Sequence, residues 1–159
     1  MAVSSFGSAE AFIINLDALT ATNQNPVVLS LAPGAYSVTP VGIADGGAYN
    51  AWNAWGYVSL PHSGWLNQYV FASDSLGEHL VTNNVRYATD LQALQNALGS
   101  AFYLPVTENV KFYMGDNYYS DNIGGMSLDV KPVPEPATLF LLGSGFIGML
   151  GLRKKKASV

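Results

Sequence analysis

The chain has 159 residues, of which 49% are hydrophobic and 11% are charged, and this length suits one small domain with a single core. Residues 1–152 carry three basic and eleven acidic side chains, a net charge of −8, so the surface repels phosphate backbones and nucleic acid is excluded as an expected partner. The sequence contains no cysteine, which excludes disulfides, thiol catalysis and cysteine-based zinc sites.

The first eleven residues, MAVSSFGSAEA, lack the basic and apolar stretches that direct secretion. The triplet Ala9-Glu10-Ala11 nevertheless fits the small-x-small pattern of a signal-peptidase site, directly before the first predicted strand. Residues 1–11 are therefore interpreted as the remnant of a signal peptide whose true start codon lies upstream. The alternative is a short disordered lead to a cytosolic protein.

The chain is low in charge and rich in Tyr, Trp, Gly and Asn, a composition typical of a β-sandwich. Alternating side chains and turn residues predict strands at Phe12–Leu16, Val27–Leu31, Ala35–Val41, Trp65–Ala72, His79–Thr82, Ala101–Pro105, Val110–Met114 and Met126–Val130. One short helix is predicted over residues 89–98, with Thr89 and Gln92 as a capping box and Gly99 at its end. We expect residues 12–131 to form an all-β, jelly-roll-like sandwich of about eight strands and one helix.

Residues 42–56 are rich in Gly, Asn and Trp and are predicted to form a long functional loop. Aromatic rings in such a loop can stack on the C–H surfaces of a sugar. Trp52, Trp55 and Tyr49 are the candidate carbohydrate-binding residues. The alternative is that one or both indoles fill the end of the sandwich, because Trp is usually mostly buried.

A second polar loop, GDNYYSDNIGG over residues 115–125, joins two predicted strands. Asp116, Asp121 and Asn122 offer carboxylate and amide oxygens, the ligands that Ca²⁺ prefers. The glycines at the end of the loop permit the tight backbone curl that such a site needs. The alternative is a polar hairpin whose Asp and Asn side chains cap their own turn.

This second loop resembles the last loop of the calcium-dependent galactophilic bacterial lectins, which are small jelly-roll carbohydrate-binding domains. In that family an Asp and an Asn pair hold Ca²⁺, and two sugar hydroxyls bridge the ion. The resemblance implies that Asp116, Asp121 and Asn122 hold calcium and that a backbone carbonyl near Gly46 completes the site. The loop is shorter here and carries Asp121 where the lectins carry Asn.

The sequence offers no recognisable catalytic arrangement. His62 and His79 are single and far apart, without Ser-His-Asp order or His-x-His spacing. Asp74, Glu78 and Asp90 do not form a recognisable pair for glycosidase chemistry. We therefore expect no enzymatic activity.

The carboxy-terminal segment has three parts in a fixed order. A proline-rich linker, residues 132–136, contains Pro134-Glu135-Pro136 and favours an extended polyproline II conformation that would hold the domain off a membrane. An uncharged apolar run follows over residues 137–152, and at about 1.5 Å per residue a helix of that length spans roughly 24 Å. Arg153, Lys154, Lys155 and Lys156 then act as a membrane stop that stays cytoplasmic and snorkels toward headgroups.

Residues 137–159 are thus predicted to be a transmembrane helix with a basic tail, which leaves the domain outside the cytoplasmic membrane. The alternative is a buried core helix followed by a basic tail. The ordered triplet resembles the PEP-CTERM sorting signal, which implies exosortase as a partner and processing near Pro134-Glu135-Pro136. The expected protein is an exported surface or matrix protein with a calcium-dependent domain that binds extracellular polysaccharide. The alternative is a structural matrix component without a specific ligand.

Overall fold

A computed structural model describes residues 11–53 and 64–134. The strands in these residues are β1 (Phe12–Asp17), β2 (Val27–Leu31), β3 (Gly34–Val41), β4 (Trp52–Asn53), β5 (Gln68–Ser73), β6 (Gly77–Thr82), β7 (Ser100–Leu104), β8 (Glu108–Met114) and β9 (Ile123–Pro132). A short helix, α1, spans Asp90–Gln95, and 3-10 turns cover Ile43–Asp45 and Tyr119–Asp121. The expected all-β class is confirmed.

The strands form two antiparallel sheets that are consistent with a β-sandwich. The first sheet has the order β1-β9-β3-β7, with the short β4 beside the start of β9, and the second has the order β2-β8-β5-β6. All the pairings are antiparallel, including those of β9 with β1 and β3 and those of β8 with β2 and β5. The inner strands β9 and β3 of the first sheet and β8 and β5 of the second therefore each lie between two neighbours.

The hydrophobic core combines inward-facing side chains from both sheets, as the alternation in the sequence predicts. The first sheet contributes fully buried Leu16, Val38, Leu104, Leu128 and Val130. The second sheet contributes fully buried Tyr69, Val110, Phe112 and Met114. Burial of each large apolar side chain stabilises the fold by about 1.5–3 kcal/mol, so this interior is the main source of stability in a chain without disulfides.

Two local expectations need correction. The strand predicted from Trp65 begins at Gln68, because Trp65 and Leu66 make only isolated bridges, to Tyr87 and Trp52. The helix begins as predicted, with the Thr89 hydroxyl accepting from the Gln92 amide at 3.2 Å. It ends at Gln95 rather than at residue 98, because Asn96 caps it and donates from its side chain to the Gln92 carbonyl at 2.9 Å.

The last strand reaches further toward the carboxy terminus than the sequence suggests. Pro132 pairs with Tyr36, and the Val133 amide donates to the Ala35 carbonyl at 2.8 Å. The first part of the predicted linker therefore belongs to the sheet, and the folded domain continues to the sorting motif. The remaining Glu135 and Pro136 of that motif lie outside the described residues.

Within residues 11–53 and 64–134, no helix is long and apolar enough to cross a membrane. The predicted transmembrane segment, residues 137–152, and the basic residues Arg153, Lys154, Lys155 and Lys156 lie outside the described part of the chain. The signal-peptide remnant is also outside it, apart from Ala11.

Candidate functional site

The loop that follows β8, residues 115–122, folds back over its own start. The Asp116 amide donates to the Met114 carbonyl at 3.0 Å, and the Tyr119 hydroxyl donates to the same carbonyl at 3.2 Å. A 3-10 turn then ends where the Asn122 amide donates to the Tyr119 carbonyl at 3.2 Å. This curl brings the two ends of the loop to the same end of the sandwich.

Asn122 anchors the loop to the core. Its side chain is only 1% exposed, and its Nδ2 donates to the carbonyl of Ala18 at 3.1 Å. Ala18 is itself fully buried, and its amide donates to the Gly124 carbonyl at 3.0 Å. The Nδ2 of Asn122 is thus used in a hydrogen bond to the core, whereas its Oδ1 has no hydrogen-bond partner.

All three predicted ligands carry a buried side-chain oxygen without a hydrogen-bond partner. These atoms are Asp116 Oδ2, Asp121 Oδ1 and Asn122 Oδ1. The turn-capping alternative accounts for only part of the loop, since Asp116 Oδ1 accepts from the Asn117 amide at 2.7 Å. A buried acceptor without a partner costs about 1–3 kcal/mol, and more when it is charged. These three oxygens could therefore accept a hydrogen bond or coordinate a cation.

The charges in this loop lack a neutralising partner among the described residues. The ion pair that the structure describes joins Lys131 to Asp129 and does not involve the loop. Burial raises the pKa of Tyr119 above its ordinary value, and the negative charge of Asp116 adds to the rise. The protonated Tyr119 hydroxyl therefore stays available to hold the loop closed.

The candidate metal ligands in this loop are both carboxylates and carboxamides. In the described part of the chain, no three His, Cys, Asp or Glu side chains lie close enough together to hold a metal ion. A metal here would rely on two carboxylates and on carboxamide oxygens. Calcium accepts that combination, since it takes about six to eight oxygens from carboxylates, amides, carbonyls and water.

A cleft of about 300 Å³ opens beside the loop. Its wall includes the Gln68 side chain, whose Nε2 donates to the Gly115 carbonyl and so joins β5 to the start of the loop. The residues that line the cleft are Trp52, Leu66, Gln68, Asn84, Val85, Arg86, Gly115 and Asp116. Solvent therefore reaches the edge of the site from this side.

The structure does not bring Gly46 to this site. Gly46 is exposed, and its nearest side-chain neighbour is Ile13. The adjacent Gly47 packs on Ser127, and the Ala48 and Tyr49 amides donate to the Ser127 hydroxyl at 2.9 and 3.0 Å. Ser127 lies next to the inward-facing Leu128, so this turn covers the outer face of β9.

The predicted sugar-stacking residues also need correction. Trp52 is 1% exposed and belongs to the core, so its ring faces are not available to a ligand, and the alternative that it fills the end of the sandwich applies. Tyr49 is partly buried, packs its ring near Gly125 and donates from its hydroxyl to Asp17 at 2.9 Å. Trp55 lies outside the described residues.

Two residues at this end were not identified from the sequence. Asn67 is 4% exposed, and neither its Nδ2 nor its Oδ1 has a hydrogen-bond partner. Tyr118 is 66% exposed and lies on the loop itself, two residues after Asp116. Alternation with Trp65 and Tyr69 would have placed Asn67 toward the core, and a buried Asn at a strand end is a signal for a polar site.

Comparison with known proteins identifies only the carboxy-terminal segment. A family model described as the PEP-CTERM protein-sorting motif matches residues 132–156. No curated protein and no solved structure matches the chain, so the resemblance to lectins gains no support from either comparison. The chain therefore carries a PEP-CTERM sorting motif, which marks an exported, membrane-associated protein that is sorted by exosortase.

Proposed function

We propose that this chain is a non-catalytic surface or matrix protein whose domain binds Ca²⁺ and, through that ion, carbohydrate. The observation that carries the calcium proposal is the set of three buried oxygens without partners, on Asp116, Asp121 and Asn122. A bound cation would offset the repulsion between the two carboxylates and satisfy all three atoms at once. Calcium is therefore the cofactor that we assign to the loop.

The strand order supports the jelly-roll form of the sandwich. The four main strands of the first sheet, β1-β9-β3-β7, are matched by four in the second, β2-β8-β5-β6. Consecutive strands change sheets from β1 to β2, from β2 to β3 and again from β7 to β8 and β9. Double Greek-key jelly rolls have this arrangement, and several of them bind carbohydrate.

The path of β9 places the loop far from the sorting signal. The strand starts one residue after Asn122 and ends at Pro132. Its ten residues, at about 3.3 Å each, separate the two ends of the sandwich by roughly 33 Å. Because the tail is predicted to lie in the membrane, the calcium loop would point away from the bilayer, toward extracellular ligands.

Tyr118 replaces Trp52 as the proposed aromatic contact for a sugar. Its ring is 66% exposed beside the proposed ion, whereas the Trp52 ring is buried in the core. Sugar hydroxyls would complete the calcium coordination while Tyr118 covers one face of the ring, since aromatic faces bind apolar C–H surfaces well. The site would then need both the ion and the tyrosine.

A glycan array with the purified full-length chain in detergent tests the ligand. We expect binding with calcium, none with chelator, and loss of at least about tenfold in signal for Tyr118→Ala, which is about 1.4 kcal/mol. Tyr103→Ala is the matched control, because Tyr103 is 63% exposed on β7 and lies away from the loop. A calcium effect on stability without any glycan signal would favour the structural matrix component instead.

The sorting signal can be tested separately in a host that contains exosortase. Replacing Glu135 with alanine should leave the protein uncut and retained in the membrane fraction, because the change alters the central residue of the matched motif. Intact mass and cell fractionation measure the outcome. Asp74→Ala, which removes an exposed carboxylate from the folded domain, should be processed normally. Normal processing of the Glu135 variant would contradict the assignment of the motif.

A further inference from the structure

Asn67 is the most unusual polar side chain in the described part of the chain. It is 96% buried, yet neither its carbonyl oxygen nor its amide nitrogen has a hydrogen-bond partner. Native proteins pair nearly all their buried polar groups, because each unpaired group costs about 1–3 kcal/mol. A partner that is not part of the polypeptide is therefore expected beside this side chain.

The register of the second sheet places Asn67 and Asp116 at the same end of the sandwich. Tyr69 pairs with Met114, and both side chains face the core. Asn67 and Asp116 each lie two residues beyond these partners, just outside the ends of β5 and β8, so both lie at the same end of the second sheet. The hydrogen bond from the Gln68 side chain to the Gly115 carbonyl shows that the two segments stay adjacent beyond the end of β8.

The oxygens of the loop come from the ends of both sheets. Asp116 follows β8 in the second sheet, whereas Asp121 and Asn122 directly precede β9 in the first. Asn122 is held to the core by the Ala18 carbonyl. With Asn67, four side chains at one end of the sandwich have buried oxygens without partners.

Charge argues for a cation between them rather than water alone. Water would satisfy the four oxygens but would leave the two carboxylates of Asp116 and Asp121 without a compensating positive charge. The Arg86 side chain lines the neighbouring cleft, but its Nη1 donates to the Gly64 carbonyl at 3.3 Å and forms no ion pair with the loop. A divalent cation meets both requirements.

We propose that Asn67 Oδ1 is a fourth side-chain ligand of the calcium ion and that the ion joins the ends of the two sheets. This inference rests on the proposed calcium function of the loop. Asn67 and Asp116 approach the ion from the second sheet, and Asp121 and Asn122 approach it from the first. Calcium would then crosslink the two sheets at the end of the sandwich that lies away from the sorting signal.

The substitution Asn67→Asp distinguishes a role of Asn67 as a calcium ligand from a purely structural role. In chelator, the added charge beside two carboxylates should lower the melting temperature of the full-length chain. With calcium, a third carboxylate should tighten the Kd for the ion by about tenfold, since ligand charge sets affinity at such sites. Asn109→Asp is the matched control, because Asn109 is exposed at the opposite end of β8 and should not change the Kd.

A second variant keeps the test decisive if Asn67→Asp does not fold. Asn67→Ala should weaken calcium binding by at least about tenfold, or 1.4 kcal/mol. If calcium binds the wild type but has the same Kd in the Asn67 variants, Asn67 is not a ligand, although the proposed function of the loop stands. If the wild type does not bind calcium, both proposals fail.

Discussion

Replacing Phe112 with alanine is expected to lower the free energy of unfolding by about 3–5 kcal/mol, the usual cost of removing a buried aromatic ring. Phe112 is fully buried in β8, between its strand partners Val27 and Phe71, and faces the first sheet. Small domains have only about 5–15 kcal/mol of net stability. Denaturant titration of the full-length chain, followed by tryptophan fluorescence, should therefore show a much lower midpoint.

The neighbouring Lys111 provides the control for this change. Its side chain is exposed on the outer face of the same strand, and Lys111→Ala should alter stability by no more than about 0.5 kcal/mol. Equal effects of the two substitutions would contradict the assignment of Phe112 to the core between the sheets.

Calcium should have the second large effect, by stabilising the native state alone. At a hundredfold excess of free calcium over the Kd, the added stability is about 2.7 kcal/mol. For a domain of this size, each kcal/mol raises the melting temperature by roughly 2–8 °C, so a rise of several degrees is expected when chelator is replaced by calcium. Thermal melting of the full-length chain in detergent measures the shift.

The variant Asp121→Ala should abolish most of this calcium response. In chelator it should be at least as stable as the wild type, because it removes a buried carboxylate oxygen that has no hydrogen-bond partner. Asp74→Ala is the matched control, since Asp74 is exposed and lies outside the loop. Loss of the response in the Asp74 variant, or its persistence in the Asp121 variant, would contradict the assignment of the ligands.

Most strands could be predicted from the sequence because each alternates apolar and polar side chains at the period of a half-buried sheet. β2 matches its prediction at both ends, and β1 differs by only one residue. β4 was missed because two residues, Trp52 and Asn53, carry no periodic signal, and their strand partners Gly124 and Ile123 are far away in the sequence.

The prediction of the site was partial for a similar reason. Asp116, Asp121 and Asn122 lie within seven residues, so their donor oxygens are visible as a local pattern. Asn67 comes to the same end of the sandwich only through the register of β5 and β8, which a single sequence does not specify. Gly46 was assigned by resemblance, and the structure instead packs its turn against the outer face of β9.

Trp52 illustrates a limit of composition-based interpretation. Gly- and Asn-rich surroundings suggested an exposed aromatic residue, but pairing with Gly124 and Leu66 draws the indole into the core. Gly124 has a φ of 78° and approaches the Ala51 carbonyl closely, so a side chain there would prevent this contact. The glycines after the loop thus allow Trp52 to be buried as well as shaping the candidate site.

The central claim, that this exported domain holds calcium in the loop between β8 and β9, is tested most directly by isothermal titration. The full-length chain in detergent would be titrated with calcium in metal-free buffer, alongside Asp121→Ala and Asp74→Ala. We predict one saturable site in the wild type and in Asp74→Ala, and no saturable binding in Asp121→Ala, which has no side-chain oxygen at this position. Absence of binding in the wild type, or equal binding in all three proteins, would contradict the account.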